Sequence, residues 1–328
     1  MKTNPESKRK AVLDYLRLKK PVSGQELGNA IGVTRSAIWK YIKELREEGY
    51  QIDSVPSKGY YFLSSPDRLL PEEVIAGLDT RILGREIIYR QEVTSTQEIA
   101  RQAAARQAGE GLLVVSEVQK GGRGRVGRVW ASLPGSVYFS IILRPDIKPT
   151  EALRVPLVAG IAVARTINRQ TGLETRLKWP NDIFINNRKA GGILTELSAE
   201  VDRLEWIIIG IGLNVNATID SMPDHLRETA TSIRIEFGEE ISRVKLLQQI
   251  LMELESLYDE YTKHGFEPLR KTWKEMSNTI GAEVIVRSIN EEITGKAVDI
   301  DSDGALILEK ANGKRERIVA GDVSVRRV

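Results

Sequence analysis

Residues 121–128 read Gly-Gly-Arg-Gly-Arg-Val-Gly-Arg, three arginines and four glycines in one short stretch. Glycine weakens helix and strand alike, so the segment is expected to be a loop that bends closely around an anion. Arginine is always charged, and its planar fork matches pairs of carboxylate or phosphate oxygens. Further charge lies in Lys178-Trp179-Pro180-Asn181-Asp182 and in Arg188-Lys189-Ala190-Gly191-Gly192. Cations of this kind, held beside a glycine-rich loop, can clasp a carboxylate or a phosphate. Gly210 and Gly212 alternate in a strand-like run and would strip one strand face of side chains. Close packing and a ligand lying flat against the strand both fit that pattern.

Gly122, Gly124 and Gly127 also satisfy G-x-G-x-x-G, a weak match. A dinucleotide fingerprint opens a helix, whereas residues 130–143 are β-rich with Pro134 and Gly135 among them. A kinase would need His-Arg-Asp and Asp-Phe-Gly, and neither occurs.

The elements that must hold these residues alternate. The loop hangs between apolar runs at 112–115 and 137–143. Ile87 to Val93 reads as a strand, 96–107 as a helix that Thr94 or Ser95 can cap, and 152–170 as a buried helix. A strand at 176–179 leads into Pro180, and 183–185 with 192–197 read as a hairpin around Asn186-Asn187-Arg188-Lys189. Hairpins mixed with helices argue for an α+β domain with helices on one face of a mixed sheet. Residues 241–261 form a long helix with Leu246, Ile250, Leu254 and Leu257 on one stripe and Ser242 as its cap. Short strands at 284–286, 293–298, 305–308 and 317–325, punctuated by glycine, suggest a small β-barrel.

A chain of 328 residues holds two or three domains. It has no apolar run of membrane-spanning length and no apolar core of a signal peptide near its start. The absence of cysteine removes disulfides and thiolate zinc sites and fits a cytoplasmic protein. Two isolated histidines, His225 and His264, make a histidine-ligated metal or a Ser-His-Asp triad a poor reading. No residue is assigned to a protein-held metal. The net charge of +3 is unevenly spread: residues 1–65 hold 12 Lys or Arg against 7 Asp or Glu. That basic end suits a polyanion.

The same end patterns as a winged helix-turn-helix. Val12, Leu13 and Leu16 share a helical face, and Ser23 with Glu26 forms a capping box before a helix burying Leu27, Ala30 and Ile31. Thr34 caps a second helix whose Ile38, Ile42 and Leu45 face inward. Arg35, Ser36, Lys40 and Lys43 then point outward, flanked by Trp39 and Tyr41. Runs at 51–55 and 60–63, joined through Pro56-Ser57-Lys58-Gly59, would be the wing. Thr34, Arg35, Ser36, Lys40, Lys43 and Lys58 are the candidate DNA contacts.

The loop motif, Lys178-Trp179-Pro180-Asn181-Asp182, Arg188-Lys189-Ala190-Gly191-Gly192-Ile193-Leu194 and Gly210-Ile211-Gly212-Leu213-Asn214 stand in the order found in biotin–protein ligases. Thr94-Ser95-Thr96 and Ala230-Thr231-Ser232-Ile233 fit as well. With a winged helix in front, the whole chain resembles the bifunctional bacterial biotin operon repressor and biotin–acetyl-CoA-carboxylase ligase family. One departure is Val126, where the family loop often carries a third arginine. The resemblance implies a winged helix at 1–65, a mixed-sheet α/β ligase domain at 66–275 and an SH3-like domain at 276–328. It implies a ligase that joins biotin to ATP, with Mg2+, as biotinyl-5′-AMP. The biotinyl group then passes to a lysine of the biotin carboxyl carrier protein. Ser95, Thr96, Gln97, Gln119, Gly124, Gly210 and Gly212 are implied around biotin, and Arg123, Arg125 and Lys189 as the catalytic cations. Trp130, Lys178, Asn181, Asp182 and Asn214 are implied on the nucleotide side. It also implies that biotinyl-5′-AMP is a corepressor driving homodimerisation on a palindromic biotin operator. A small-acid-sensing transcription factor and a lipoate-type ligase are the alternatives, although the Arg-Arg-x-Ser-Gly-Gly-Gly segment of the latter is missing.

Overall fold

Hydroxyl caps set the starts of two helices in the N-terminal unit. In the computed structural model, which describes residues 5–18, 21–56, 58–201, 203–287 and 292–325, contacts divide the chain into units Met1–Arg68 and Leu69–Val328. The first contains α1 (Pro5–Leu16), α2 (Gly24–Ile31) and α3 (Arg35–Glu47), then β1 (Gln51–Val55) and β2 (Gly59–Ser64). Ser23 Oγ accepts the Glu26 N–H at 3.1 Å and Thr34 Oγ1 accepts that of Ala37 at 3.2 Å, satisfying donors that a helix start leaves unpaired. Val12, Leu13, Leu16, Leu27, Ile38, Ile42 and Leu45 form the core. The expectation for α2 needs correction: Ala30 is exposed and Ile31 half-buried, while Gly28 is buried beside Leu27. A Cβ on Gly28 would stand 2.7 Å from the Val33 carbonyl oxygen, so the turn closes too tightly there for any side chain. The wing is an antiparallel hairpin with Ile52 opposite Phe62. Lys58 is exposed in its turn, and Ser57 lies outside the described residues.

The second unit runs α4 (Pro71–Ala76), β3 (Ile87–Val93), α5 (Thr96–Ala105), β4 (Leu113–Gln119), β5 (Val137–Leu143), α6 (Val155–Thr171), β6 (Thr175–Lys178), β7 (Asp182–Ile185), β8 (Arg188–Glu200), β9 (Arg203–Leu213), α7 (Ile233–Phe237), α8 (Arg243–His264) and α9 (Glu267–Met276). Its sheet has the order β3-β4-β5-β9-β8-β7-β6. β3 and β4 pair in parallel, the rest antiparallel.

Helices cover both faces of this sheet, not one. α5 buries Ala100 and Ala104 against Leu112, Val114, Ile142 and Ile208, while α6 and α8 pack on Leu113, Val115, Phe139 and Ile141. The cause is legible in β5, where all seven residues are apolar or small and all are buried. A strand without a polar face must be covered twice.

The chain closes with β10 (Glu283–Arg287), β11 (Glu292–Ile300), β12 (Leu306–Glu309), β13 (Arg315–Ile318) and β14 (Asp322–Val325). They form an antiparallel sheet in the order β13-β12-β11-β10-β14, and among the described residues no ladder joins its edge strands. The run expected as one strand at 317–325 is two, broken at Gly321, where a Cβ would meet Val286 Cγ1 at 2.6 Å. Buried Trp179 fastens this sheet to the larger one: its Nε1–H donates to the Gly304 carbonyl at 2.9 Å and its N–H to Thr279 Oγ1 at 3.0 Å.

Candidate active site

A pocket opens where β4, β5 and β9 meet the start of α5, and its floor is a polar network laid into apolar strands. The first turn of α5 needs an acceptor, and Ser95 at the cap position supplies none. Gln119, at the end of β4, does so instead: its Oε1 accepts the Thr96 N–H at 2.8 Å and the Thr96 hydroxyl at 3.1 Å. The Thr96 and Ser140 hydroxyls lie 2.9 Å apart, Ser140 donates to Gln97 Oε1 at 3.0 Å, and Gln97 Nε2 donates to the Ile208 carbonyl at 3.3 Å. Ser95, Thr96 and Gln97 are each 3 % exposed and Ser140 not at all. Buried polar groups tied in this way are fixed in position, so they can recognise a polar ring system by geometry.

Glycines shape the next wall. A Cβ on Gly210 would stand 2.4 Å from Gln97 Oε1, and one on Gly212 would stand 2.7 Å from Trp130 Nε1. Gly192, opposite Gly212 in the β8–β9 ladder, would bring a Cβ to 3.0 Å from Trp130 Cζ3. The bare strand face is therefore a slot that the Trp130 indole itself occupies, lying directly on Gly212 and Gly192 with its N–H buried and without a partner.

Cations line the rim. Lys189 Nζ pairs with Asp182 Oδ1 at 2.6 Å and lies 5.4 Å from the centre of the Trp130 ring. Arg125 donates to Asn181 Oδ1 at 3.3 Å and to the Gly321 carbonyl at 3.2 Å, reaching the C-terminal sheet. Arg123 stands 4.0 Å from Glu98. Hydrogen bonds from Arg101, then Gln102, hold that carboxyl below the usual range. The glycine-rich segment is a small hairpin: Gly124 N–H meets the Arg128 carbonyl at 2.7 Å and Trp130 N–H the Gly122 carbonyl at 2.9 Å. At its tip Val126 has φ 52° and is 76 % exposed, a strained setting for a β-branched residue. Val126 does not line the pocket, whereas Arg128 does.

Of the residues singled out in the sequence, the pocket brings together Ser95, Thr96, Gln97, Gln119, Arg123, Gly124, Arg125, Trp130, Asn181, Asp182, Lys189, Gly210 and Gly212. Lys178 and Asn214 stand off its walls. Lys178 Nζ lies 5.3 Å from the Phe184 ring centre. Asn214, 4 % exposed, works behind the site. Its Nδ2 donates to the Thr231 carbonyl at 3.0 Å and its N–H to that of Ala190 at 2.8 Å. The Thr231 N–H donates to the Lys189 carbonyl at 2.9 Å beside it, and the Lys189 N–H to the Thr229 carbonyl at 2.9 Å. Asn214 and the Ala230-Thr231-Ser232-Ile233 motif thus fix the backbone that carries Lys189. Ser140 has no role in the sequence reading, although a lone serine among the large apolar and aromatic residues of this strand was its signal. Arg128, Gly192, Ile193, Leu194 and Ile211, present in the motifs but given no individual role there, also line the pocket, as does Val129.

In the N-terminal unit, Thr34, Arg35, Ser36, Lys40, Lys43 and Lys58 are all exposed. Lys40 and Lys43 each lie 3.8 Å from a glutamate one turn on, Glu44 and Glu47. Such exposed pairs are weak and give way readily to a phosphate.

Comparison with known proteins agrees with this geometry. Residues 87–214 match the biotin/lipoate A/B protein ligase family, 8–61 an HTH domain and 279–326 the biotin protein ligase C terminal domain. The bifunctional ligase/repressor BirA of Bacillus subtilis is 42% identical over 305 residues, 93% of this chain and 94% of that one. The chain belongs to the bifunctional biotin protein ligase and repressor family. The Escherichia coli member is 31% identical over 93% of this chain and 92% of its own. A biotin protein ligase from Aquifex aeolicus, solved in complex with biotin and ATP, superposes with a TM-score of 0.65 at 30% identity, over 74% of this chain and all of that one. The ligase model alone covers lipoate enzymes too. The match of residues 279–326 to the biotin protein ligase C terminal domain, with the likeness to the Aquifex aeolicus biotin protein ligase, decides between them.

Proposed function

We propose that the pocket condenses biotin with ATP to biotinyl-5′-AMP and pyrophosphate, and then transfers the biotinyl group to a carrier-protein lysine. The observation that carries this reading is one cavity joining a rigid polar floor, a glycine slot under Trp130 and a rim of cations. Thr96, Gln97, Gln119 and Ser140 present donors and acceptors to the ureido ring, with Ser95 beside them. The flat bicycle and its chain run along the wall of Gly210 and Gly212, and the Trp130 indole that lies on Gly212 swings aside to cover them. The carboxylate then ends among Lys189, Arg123, Gly124 and Arg125.

In the first step a carboxylate oxygen bonds to the α-phosphorus while the bond to the bridging oxygen breaks, and pyrophosphate leaves with that electron pair. The carboxylate is already ionised at neutral pH, so no base is required. Lys189, with Arg123 and Arg125, offsets the repulsion between the two anions, and each such preorganised donor is typically worth about 2.7–4 kcal/mol in the transition state. Mg2+ supplies further neutralisation on the phosphates. The described residues hold no cluster of three His, Cys, Asp or Glu. Asp182 beside Asn181 fits an ion carried mainly by phosphate and water. Trp130 serves the nucleotide side. Lys178 and Asn214 act on it from behind, Asn214 by fixing the Lys189 backbone. In the second step the carrier amine bonds to the acyl carbon, AMP departs and the amine loses a proton.

The N-terminal unit binds DNA, with α3 in the major groove, Lys58 of the wing on the backbone, and Thr34, Arg35, Ser36, Lys40 and Lys43 as contacts. The biotinyl-AMP complex is a homodimer on a palindromic biotin operator. The outer edge of β8 supports this, because β7 pairs with residues 188–192, Asn181 takes both backbone groups of Ile193, and no described strand pairs with the edge beyond it. Carrier and partner subunit compete for that edge. No described helix is long and apolar enough to cross a membrane, and the reading places the protein in the cytoplasm, divided at about residues 65 and 275 into three domains. Labelled biotin and ATP incubated with a carrier domain test the enzyme: label on the carrier lysine is expected, and its absence refutes the ligase reading.

A further inference from the structure

On α3, the apolar side chains Ile38, Ile42 and Leu45 are all buried, yet Trp39 between them is 61 % exposed. The core of this unit is complete without it. Ser36 lies three positions before Trp39 and Lys43 four after, so all three share the outer surface. Lys43 Nζ sits 5.9 Å from the indole centre, which steadies the ring. Thr34 and Arg35 lie toward the helix start and Lys40 and Lys43 beyond, so phosphate-binding groups frame the indole on both sides. The N-terminal half of such a helix is where base edges are met.

We propose that Trp39 is a specificity-determining residue of the recognition helix, packing its indole on the C5-methyl group of a thymine in the major groove. An indole has one donor and no acceptor, so it cannot make the paired hydrogen bonds that read guanine or adenine. Its apolar surface suits the one apolar group that the groove displays. This rests on the DNA-binding reading above, and the cations around it supply affinity without sequence information.

The test uses the full chain with biotin, ATP and Mg2+. Duplexes are enriched from a randomised library, and the enriched sequence is remade with uracil in place of each thymine in turn, which deletes only the methyl. At one position per half-site, uracil should weaken wild-type binding about fourfold, the worth of one buried methyl. Trp39→Ala should show no loss at that position, and Trp39→Phe, which keeps an aromatic face, should retain the loss. The slope of affinity against salt should stay the same in Trp39→Ala but fall by about one unit each in Lys40→Gln and Lys43→Gln. Equal uracil effects in wild type and Trp39→Ala, or a fallen salt slope in Trp39→Ala, overturn the proposal while leaving DNA binding intact. Failure of the wild type to enrich any sequence overturns both.

Discussion

Gly212→Ala is the sharpest probe of the slot. The added methyl would lie 2.7 Å from Trp130 Nε1, 2.8 Å from Cε2 and 3.1 Å from Cζ2. Ordinary carbon contacts are about 3.5–4.0 Å, so the indole must retreat by about 1 Å. The Trp130 backbone is held by its bond to the Gly122 carbonyl, so the side chain alone moves, and it moves within the pocket it roofs. Overpacking of this kind costs about 1–3 kcal/mol. Placed on the ligand, that is a loss of biotin affinity of about 5- to 150-fold. Unliganded stability should fall too, because the clash is there without ligand, and alanine's regain of roughly 0.5–1 kcal/mol in a strand offsets only part of it. Gly191→Ala is the control: its methyl would meet Leu213 Cδ1 at 2.9 Å and the Gly212 carbonyl at 3.1 Å, away from the indole. It should lower the melting temperature and spare biotin. Calorimetric titration with biotin, beside thermal unfolding of the free protein, reads both. Wild-type biotin affinity in Gly212→Ala, or indistinguishable behaviour of the two variants, would refute the slot.

Three further outcomes follow from the same geometry. Lys189→Ala should slow adenylate formation on the order of a hundredfold or more, followed by pyrophosphate release, and wild-type release would remove Lys189 from the reaction. Arg125→Gly cuts the ties to Asn181 and the Gly321 carbonyl; it should hasten loss of biotinyl-AMP and label bystander lysines, and an unchanged dissociation rate counts against a retaining loop. Glu255 meets three backbone N–H groups at Arg81, Ile82 and Leu83. Burial raises its pKa, but those bonds and the Arg81 charge outweigh burial and leave it lowered from 4.5. A depressed carboxylate contributes stability above its unfolded pKa and loses it as pH falls through the folded one. Glu255→Gln should therefore be less stable near neutrality, with a gap that closes in acid. Urea midpoints at several pH values measure this, and a constant gap excludes the role.

The chemistry of this chain is more legible than its packing. The loop, the Lys178–Asp182 stretch, Lys189 and the paired glycines announce themselves because charge and missing side chains are properties of single residues. Thr34 and Ser23 were readable for the same reason, since a cap is a local bond. Ser95 looked equally good as a cap, yet Gln119 makes the contact from another strand, and sequence spacing carries no trace of that partner. Likewise Gly28, rather than Ala30, is buried because of where Val33 turns. The doubly covered sheet was present in the unbroken apolar run of β5 but was outvoted by the hairpins around it. Asn214 shows the remaining limit: motif order marks it as belonging to the site, whereas only three-dimensional contacts separate a side chain in the pocket from one that braces Lys189.

The two halves of the pocket differ in how they are held, and the difference matters for catalysis. The floor is buried and its hydrogen bonds are internal, so it is shaped before any ligand arrives. On the rim, Lys189, Arg123 and Arg125 have partners that a phosphate or carboxylate can replace: Asp182, Glu98, and Asn181 with the Gly321 carbonyl. Cations left without partners in a half-buried rim would carry a desolvation penalty into the folded state. Resident acceptors lower that penalty, and for Lys189 and Arg125 exchange for a substrate oxygen swaps one charge-assisted bond for another, while Arg123, 4.0 Å from Glu98, gains one. The discriminating contacts can therefore be rigid, while the contacts that hold the reacting anions are free to re-pair as charge moves from carboxylate to leaving phosphate.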